Sequence, residues 1–171
     1  MTRYDFSGRK VLITGASTGI GRELSGEFAR RGAHLALGAL PEEAEALEQW
    51  ASQLKAQFGI PVWTFPINLL DDDGPDALYG KVKAEIGDIF ALVNNAGIVA
   101  YGKFWEAPAK RQEDTLKLNL FIPMRLMRLF LPDMVKRGEG VVFNISSVSA
   151  LQPTPFHTVY GASKAGLQSL S

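Results

Sequence analysis

Tyr160 and Lys164, in the run Tyr160-Gly161-Ala162-Ser163-Lys164, stand four residues apart, so on a helix a phenol and an ammonium project from one face. That pairing suits proton transfer. A free phenol titrates near about 10, and a neighbouring cation favours the phenolate and moves it toward a useful range. Such a pair also occurs by chance on many helix surfaces, so it carries little alone. Ser147 lies thirteen positions before Tyr160 and offers a hydroxyl just past the apolar run 141–145. Asn119, in Leu118-Asn119-Leu120, is a polar residue inside an apolar helical stretch, a costly choice unless its amide is bonded.

A second constellation is the run Thr14-Gly15-Ala16-Ser17-Thr18-Gly19-Ile20-Gly21. Glycines between a strand and a helix allow unusual backbone angles, let a phosphate approach the main chain and let the helix pack tightly on its sheet. The helix N-terminus then presents amides and partial positive charge to an anion. A plain glycine-rich connection reads the same way. The spacing is G-x-x-x-G-x-G, and no Walker lysine follows, which excludes an ordinary P-loop nucleotidase.

These residues need elements to hold them. Short branched apolar runs at 11–14, 34–38, 61–67, 89–93 and 141–145 alternate with helical periodicity, the pattern of βαβ units on a parallel sheet. Helices are expected over 22–31, from Pro41 to Phe58, after the Asp71-Asp72-Asp73-Gly74-Pro75 cluster, over 111–136 and from Thr158. The aspartates read as helix caps rather than a metal site. Pro123 should kink the 111–136 helix or sit where a turn bond is absent. Asn94-Asn95-Ala96-Gly97 ends the fourth strand, at the sheet edge where ligands bind.

Composition narrows the function. The 171 residues are 46% hydrophobic and 21% charged, with 18 basic and 18 acidic side chains, which fits one globular domain and argues against disorder. No basic excess exists to bind nucleic acid. The absence of cysteine removes disulfides, thiolate catalysis and zinc ribbons. No run reaches the roughly 20 apolar residues of a membrane span, and the polar start, with Arg3, Asp5, Arg9 and Lys10, is unlike a signal peptide, so a cytoplasmic location is expected.

With the glycine turn, Asn94-Asn95-Ala96-Gly97, Ser147 and the Tyr160/Lys164 pair in this order, the chain resembles the classical short-chain dehydrogenase/reductase family. The resemblance implies a Rossmann-like doubly wound α/β sheet with helices on both faces, and an oxidoreductase that interconverts a carbonyl and a secondary alcohol with NAD(P). It makes Tyr160 the general acid/base and gives Lys164 two roles, lowering the tyrosine pKa and holding the nicotinamide ribose. Ser147 would bond the substrate oxygen, and Asn119 would hold a water linking Lys164 to solvent. Gly15, Ser17, Gly19, Ile20 and Gly21 would cradle the coenzyme, Asn68 and Leu69 would contact adenine, and Asn95 would line the site.

Relatives that prefer NAD carry an acid where this chain has Ala39, followed by Leu40, while Thr18 stands where NADP-preferring relatives often have a base. The balance tilts to NADP. Phe104, Trp105, Leu151, Pro153, Phe156 and His157 fall in loops expected near the site and point to an apolar small-molecule substrate, with no metal role for His157. The apolar 111–136 helix suggests a homo-oligomer, as in the family. Members of the family continue with two further strands, so five of seven strands are expected here, with the single domain 1–171 ending inside the helix of Tyr160 and Lys164. A non-catalytic nucleotide-binding or interaction module is the alternative. In that case the fifth strand would be an open edge, and Leu167 and Leu170 would lack partners.

Overall fold

The computed structural model describes residues 5–171, so Arg3 of the polar start lies outside the described residues. Five parallel strands form one sheet in the order β3-β2-β1-β4-β5. They are β1 (Lys10–Thr14), β2 (His34–Ala39), β3 (Val62–Pro66), β4 (Ala91–Asn94) and β5 (Val141–Asn144). The order reverses on either side of β1, which places the mouth of a crevice at the C-terminal ends of β1 and β4.

Alternation along the strands feeds two cores. Val11 and Ile13 of β1, with Leu35 and Leu37 of β2, pack against α1 (Gly19–Arg30) and α2 (Ala44–Phe58) through Phe28, Leu47 and Leu54. Leu12, Ala36 and Leu92 point the other way, onto Leu78 and Val82 of α3 (Gly74–Glu85) and onto Leu126 and Phe130. Helices therefore cover both faces, and each large side chain buried this way contributes about 1.5–3 kcal/mol.

The expected helix over 111–136 is α4 (Ala109–Leu116), a π-turn (Lys117–Phe121) and α5 (Ile122–Arg137) in succession. Pro123 explains the break. A regular helix would send an N–H from position 123 to the Asn119 carbonyl, and proline has none. The chain widens into a π-turn there, so Pro123 sits where a turn bond is absent, one of the two outcomes expected for it.

Two further expectations change. Asp73 occupies the N-cap of α3 but its side chain makes no cap bond. Asp71 instead accepts from Asn68 Nδ2 at 2.8 Å and Asp72 pairs with Lys117 at 3.3 Å, so the cluster ties a loop rather than capping a helix. On α6 (Thr158–Leu170), Leu167 is buried at 1% exposure while Leu170 is 40% exposed. Leu167 thus has packing partners. β5 is half-buried along its whole length and, among the described residues, pairs with β4 alone.

Candidate active site

The glycine turn leaves β1 at the crevice mouth. Gly15 has φ +65°, and a Cβ there would stand 3.0 Å from Ala96 Cα, so both conformation and space call for glycine. A Cβ on Gly21 would overlap the Gly15 carbonyl oxygen, which is how the first turn of α1 comes down onto the loop. Thr18 is the N-cap of α1 and no side-chain bond caps this end, so the helix start faces the crevice uncapped.

Asn95 stitches the turn to β4. Its Nδ2 donates to Thr14 O at 2.8 Å and to Gly15 O at 3.0 Å. Thr14 Oγ1 returns the tie, accepting from the amides of Asn95 and Ala96, each at 3.1 Å. Asn94 behaves differently. Its Nδ2 donates across the sheet to Asn144 Oδ1 at 2.8 Å, whereas its Oδ1 is buried with no partner among the described residues.

A cleft of about 510 Å³ runs from this turn along the strand ends. Gly15, Ser17, Ile20, Asn68, Leu69 and Asn95 line it, together with Leu118 and Gly97. Asn68 Oδ1 accepts from Leu70 N at 3.1 Å, a local turn that sets Leu69 against the cleft wall. Among the lining residues Glu43 is the one acid and Arg111 the one base. Ser17, 2% exposed, donates its hydroxyl to Glu43 Oε2 at 2.7 Å, a contact no local pattern announced.

Beyond Gly97 stand the catalytic candidates. A Cβ on Gly97 would lie 3.0 Å from Asn119 Oδ1 and 3.6 Å from Lys164 Nζ, so one small residue separates the cleft from both. Asn119 is fully buried. Its Oδ1 accepts from Ile98 N at 2.9 Å, and its Nδ2 donates to Ile98 O at 2.9 Å and Ser163 Oγ at 3.0 Å. Both side-chain donors are spent on position. Pro123, which has no N–H, cannot donate to the Asn119 main-chain carbonyl as a regular helix would.

Lys164 is 4% exposed and its Nζ donates to Ile145 O at 2.7 Å, from a point 5.9 Å from the Tyr160 ring centre. Burial disfavours its charge and lowers its pKa from 10.5. Tyr160 is half-buried, one helical turn earlier on α6. Ser147 follows β5 as the cap of a short 3₁₀ turn (Val148–Ala150), its Oγ accepting from Ser149 N at 3.2 Å. That turn packs under α6, since a Cβ on Gly161 would meet Ser149 O at 3.1 Å. The structure therefore gathers Asn119, Tyr160 and Lys164 on α6 and its neighbour, with Ser147 on the turn beneath. Ser163 and the Ile98 and Ile145 carbonyls complete the set and were missed in the sequence, because main-chain acceptors leave no mark in residue type.

The match to known proteins agrees with this geometry. The short chain dehydrogenase family profile matches residues 9–171, and the chain belongs to that family. A fatty acyl-CoA reductase of Mycobacterium tuberculosis is 34% identical, covering 100% of this chain and 58% of its own. The crystal structure of L-sorbose reductase from Gluconobacter frateurii, complexed with NADPH and L-sorbose, superposes with a TM-score of 0.91 at 32% identity, over 98% of this chain and 64% of that one. A short-chain dehydrogenase/reductase from Burkholderia phymatum in complex with NAD gives 0.90 at 30% identity, over 98% and 59%. The chain thus spans 58–64% of the length of these relatives. Among the described residues no helix is long and apolar enough to cross a membrane.

Proposed function

We propose that the chain forms the coenzyme-binding and proton-transfer unit of an NAD(P)-dependent oxidoreductase that interconverts a carbonyl and a secondary alcohol. One observation carries this reading. A phenol and a buried ammonium share one face of α6, immediately past the small residue that ends a glycine-walled cleft. The uncapped start of α1 and the close approach at Gly15 and Gly21 fit a dinucleotide phosphate.

The bound nicotinamide would supply or accept the hydride. In reduction Tyr160 Oη gives its proton to the substrate oxygen, and in oxidation its phenolate takes one back. Lys164 favours that phenolate by its charge and, being buried, does so with little screening. Ser147 Oγ donates to the substrate oxygen and orients it. Asn119 holds the 97–98 segment and α6 in register, leaving its carbonyl for a water that refills the proton through Lys164.

The tilt toward NADP drawn from Ala39 meets an opposing charge. Glu43 brings a carboxylate to the same end of the cleft through Ser17, and a 2′-phosphate there would face it. On α5 and the π-turn, Phe121, Met124, Leu131 and Val135 remain exposed while Ile122, Leu126 and Phe130 are buried. That outward apolar face supports a homo-oligomer, with sedimentation at micromolar concentration as its test. The non-catalytic module gains no support from the named relatives, which are reductases and dehydrogenases.

Titration of NADH and NADPH against the fluorescence of Trp50, Trp63 and Trp105 tests coenzyme binding. Tyr160→Phe tests the chemistry. Coenzyme oxidation by a ketone should fall by about 10²–10⁴ in the variant with coenzyme affinity retained. Turnover that survives the substitution would remove Tyr160 from its assigned role.

A further inference from the structure

Proton transfer uses the phenol of Tyr160 but not the rings beside it. His157 packs edge-on to Tyr160, with ring centres 6.0 Å apart, and Tyr101 packs edge-on to His157 at 5.1 Å. Phe156 leans on Tyr101 at 5.8 Å. These rings come from two segments far apart in the chain, one following β4 and one joining β5 to α6. Yet Tyr101 is 64% exposed and Phe156 48% exposed. Both rings are therefore open to further contact, in a row that begins on Tyr160 itself.

The row is held in place. Gly102 N donates to Phe156 O at 3.0 Å, joining the two segments through their main chains. Phe156 is the one non-glycine residue with positive φ among the described residues, at +65°. A bulky side chain adopts that conformation only where its surroundings impose it, and such positions concentrate at functional sites. On the other side Arg111 Nε donates to Val99 O at 3.0 Å and Gln112 Nε2 to Phe104 O at 2.6 Å, so α4 anchors the Tyr101 segment. His157 is tied at Nδ1 to Pro155 O at 3.1 Å.

We propose that Tyr101, Phe156 and His157 form the wall that selects the substrate, and that the substrate carries an aromatic ring beside its reacting carbon. This rests on the oxidoreductase reading above. His157 is the ring packed directly on Tyr160 and Tyr101 the next beyond it, so an aryl group on a carbonyl held at the phenol would lie beside this row. Rings meeting at 54–69° offer edge and face together, the arrangement that another ring completes by stacking or edge contact. A flexible alkyl chain gains no such geometry and loses rotamer freedom on binding.

Two ketones of equal carbon number separate the cases. With coenzyme-loaded protein, kcat/KM for 1-phenylethanone should exceed that for 2-octanone by about tenfold. Tyr101→Ala and Phe156→Gly should each bring the ratio toward unity through KM, whereas Tyr101→Phe should keep it. Phe156→Gly also relieves the positive φ, so a folding defect does not explain its result. If neither ketone turns over, saturation-transfer NMR decides, with transfer to the ring protons of 1-phenylethanone that is lost in Tyr101→Ala supporting the wall. A preference for 2-octanone, a ratio unmoved by both variants, or no transfer to the ring protons overturns it. Failure of the oxidoreductase reading shows separately, as absence of coenzyme binding by tryptophan fluorescence.

Discussion

Lys164 Nζ donates to the main-chain oxygen of Ile145 at 2.7 Å, a tie from the second turn of α6 to the residue just past β5. The bond holds an ammonium that burial would otherwise expel, and points it at the space under Tyr160. Its position depends on the sheet, since β5 brings Ile145 to the same edge where β4 delivers Gly97.

That burial has a measurable sign. The pKa of Lys164 lies below its unfolded value of 10.5, so between the two the folded state binds fewer protons than the unfolded state. The cost of the buried charge is therefore present in full below the folded pKa and is relieved as pH climbs toward 10.5. Urea unfolding of the protein and of Lys164→Met, at neutral pH and again near pH 10, should show the difference moving in favour of the unsubstituted chain. A pH-independent difference would show that Lys164 bears no desolvation penalty.

Asn95→Ala removes both donors that close the glycine turn onto β4 and leaves the Thr14 and Gly15 carbonyls short of partners. A loss of about 1–3 kcal/mol in chemical denaturation is expected, with weaker coenzyme binding in the same variant. With the turn as the proposed cradle of the coenzyme, the two losses should appear together.

Two glycine-to-alanine changes should move stability in opposite directions. Gly21→Ala sets a methyl group against the Gly15 carbonyl and should cost several kcal/mol, about the range of overpacking or more. Gly80→Ala, inside α3 with nothing within 4 Å of its Cβ, should stabilise by about 0.4–1 kcal/mol. Thermal unfolding of the pair checks whether close approach, rather than glycine content, governs the turn.

Glu43→Gln keeps the size of the side chain and removes its charge. The affinity for NADPH relative to NADH should rise about threefold to tenfold, and the effect should shrink at high salt as an interaction between charges must. Fluorescence titrations of both coenzymes at two ionic strengths measure it. An unchanged ratio would leave Glu43 as a tie for Ser17 alone.

Much of the architecture was legible because it is written in local periods. The short apolar runs at 11–14 and 34–38, the helical periodicity from Pro41 to Phe58, and the four-residue step from Tyr160 to Lys164 are properties of neighbours in the chain. Pro123 was legible too, and of the two outcomes open to it, a kink or a missing turn bond, the structure shows the missing bond. It removes the donor to the Asn119 carbonyl, and the chain passes this point as a π-turn. The aspartates at 71–73 were read as caps by residue type, whereas Asn68 and Lys117 claim two of them.

The amino-acid sequence by itself determined the order of strands and helices along the chain, the glycine-rich turn and the four-residue step that puts Tyr160 and Lys164 on one helix face, since each rests on residue type and short-range spacing. Only the tertiary structure decided which partners those residues meet. Asn119 meets Ile98 and Ser163, Ser17 meets Glu43, Lys164 meets the Ile145 carbonyl, and Tyr101 meets His157. The reason is geometric. A parallel sheet carries the C-terminal ends of β1, β4 and β5 to one edge, so residues separated by 19 to 56 positions become neighbours through the fold, which no local pattern records.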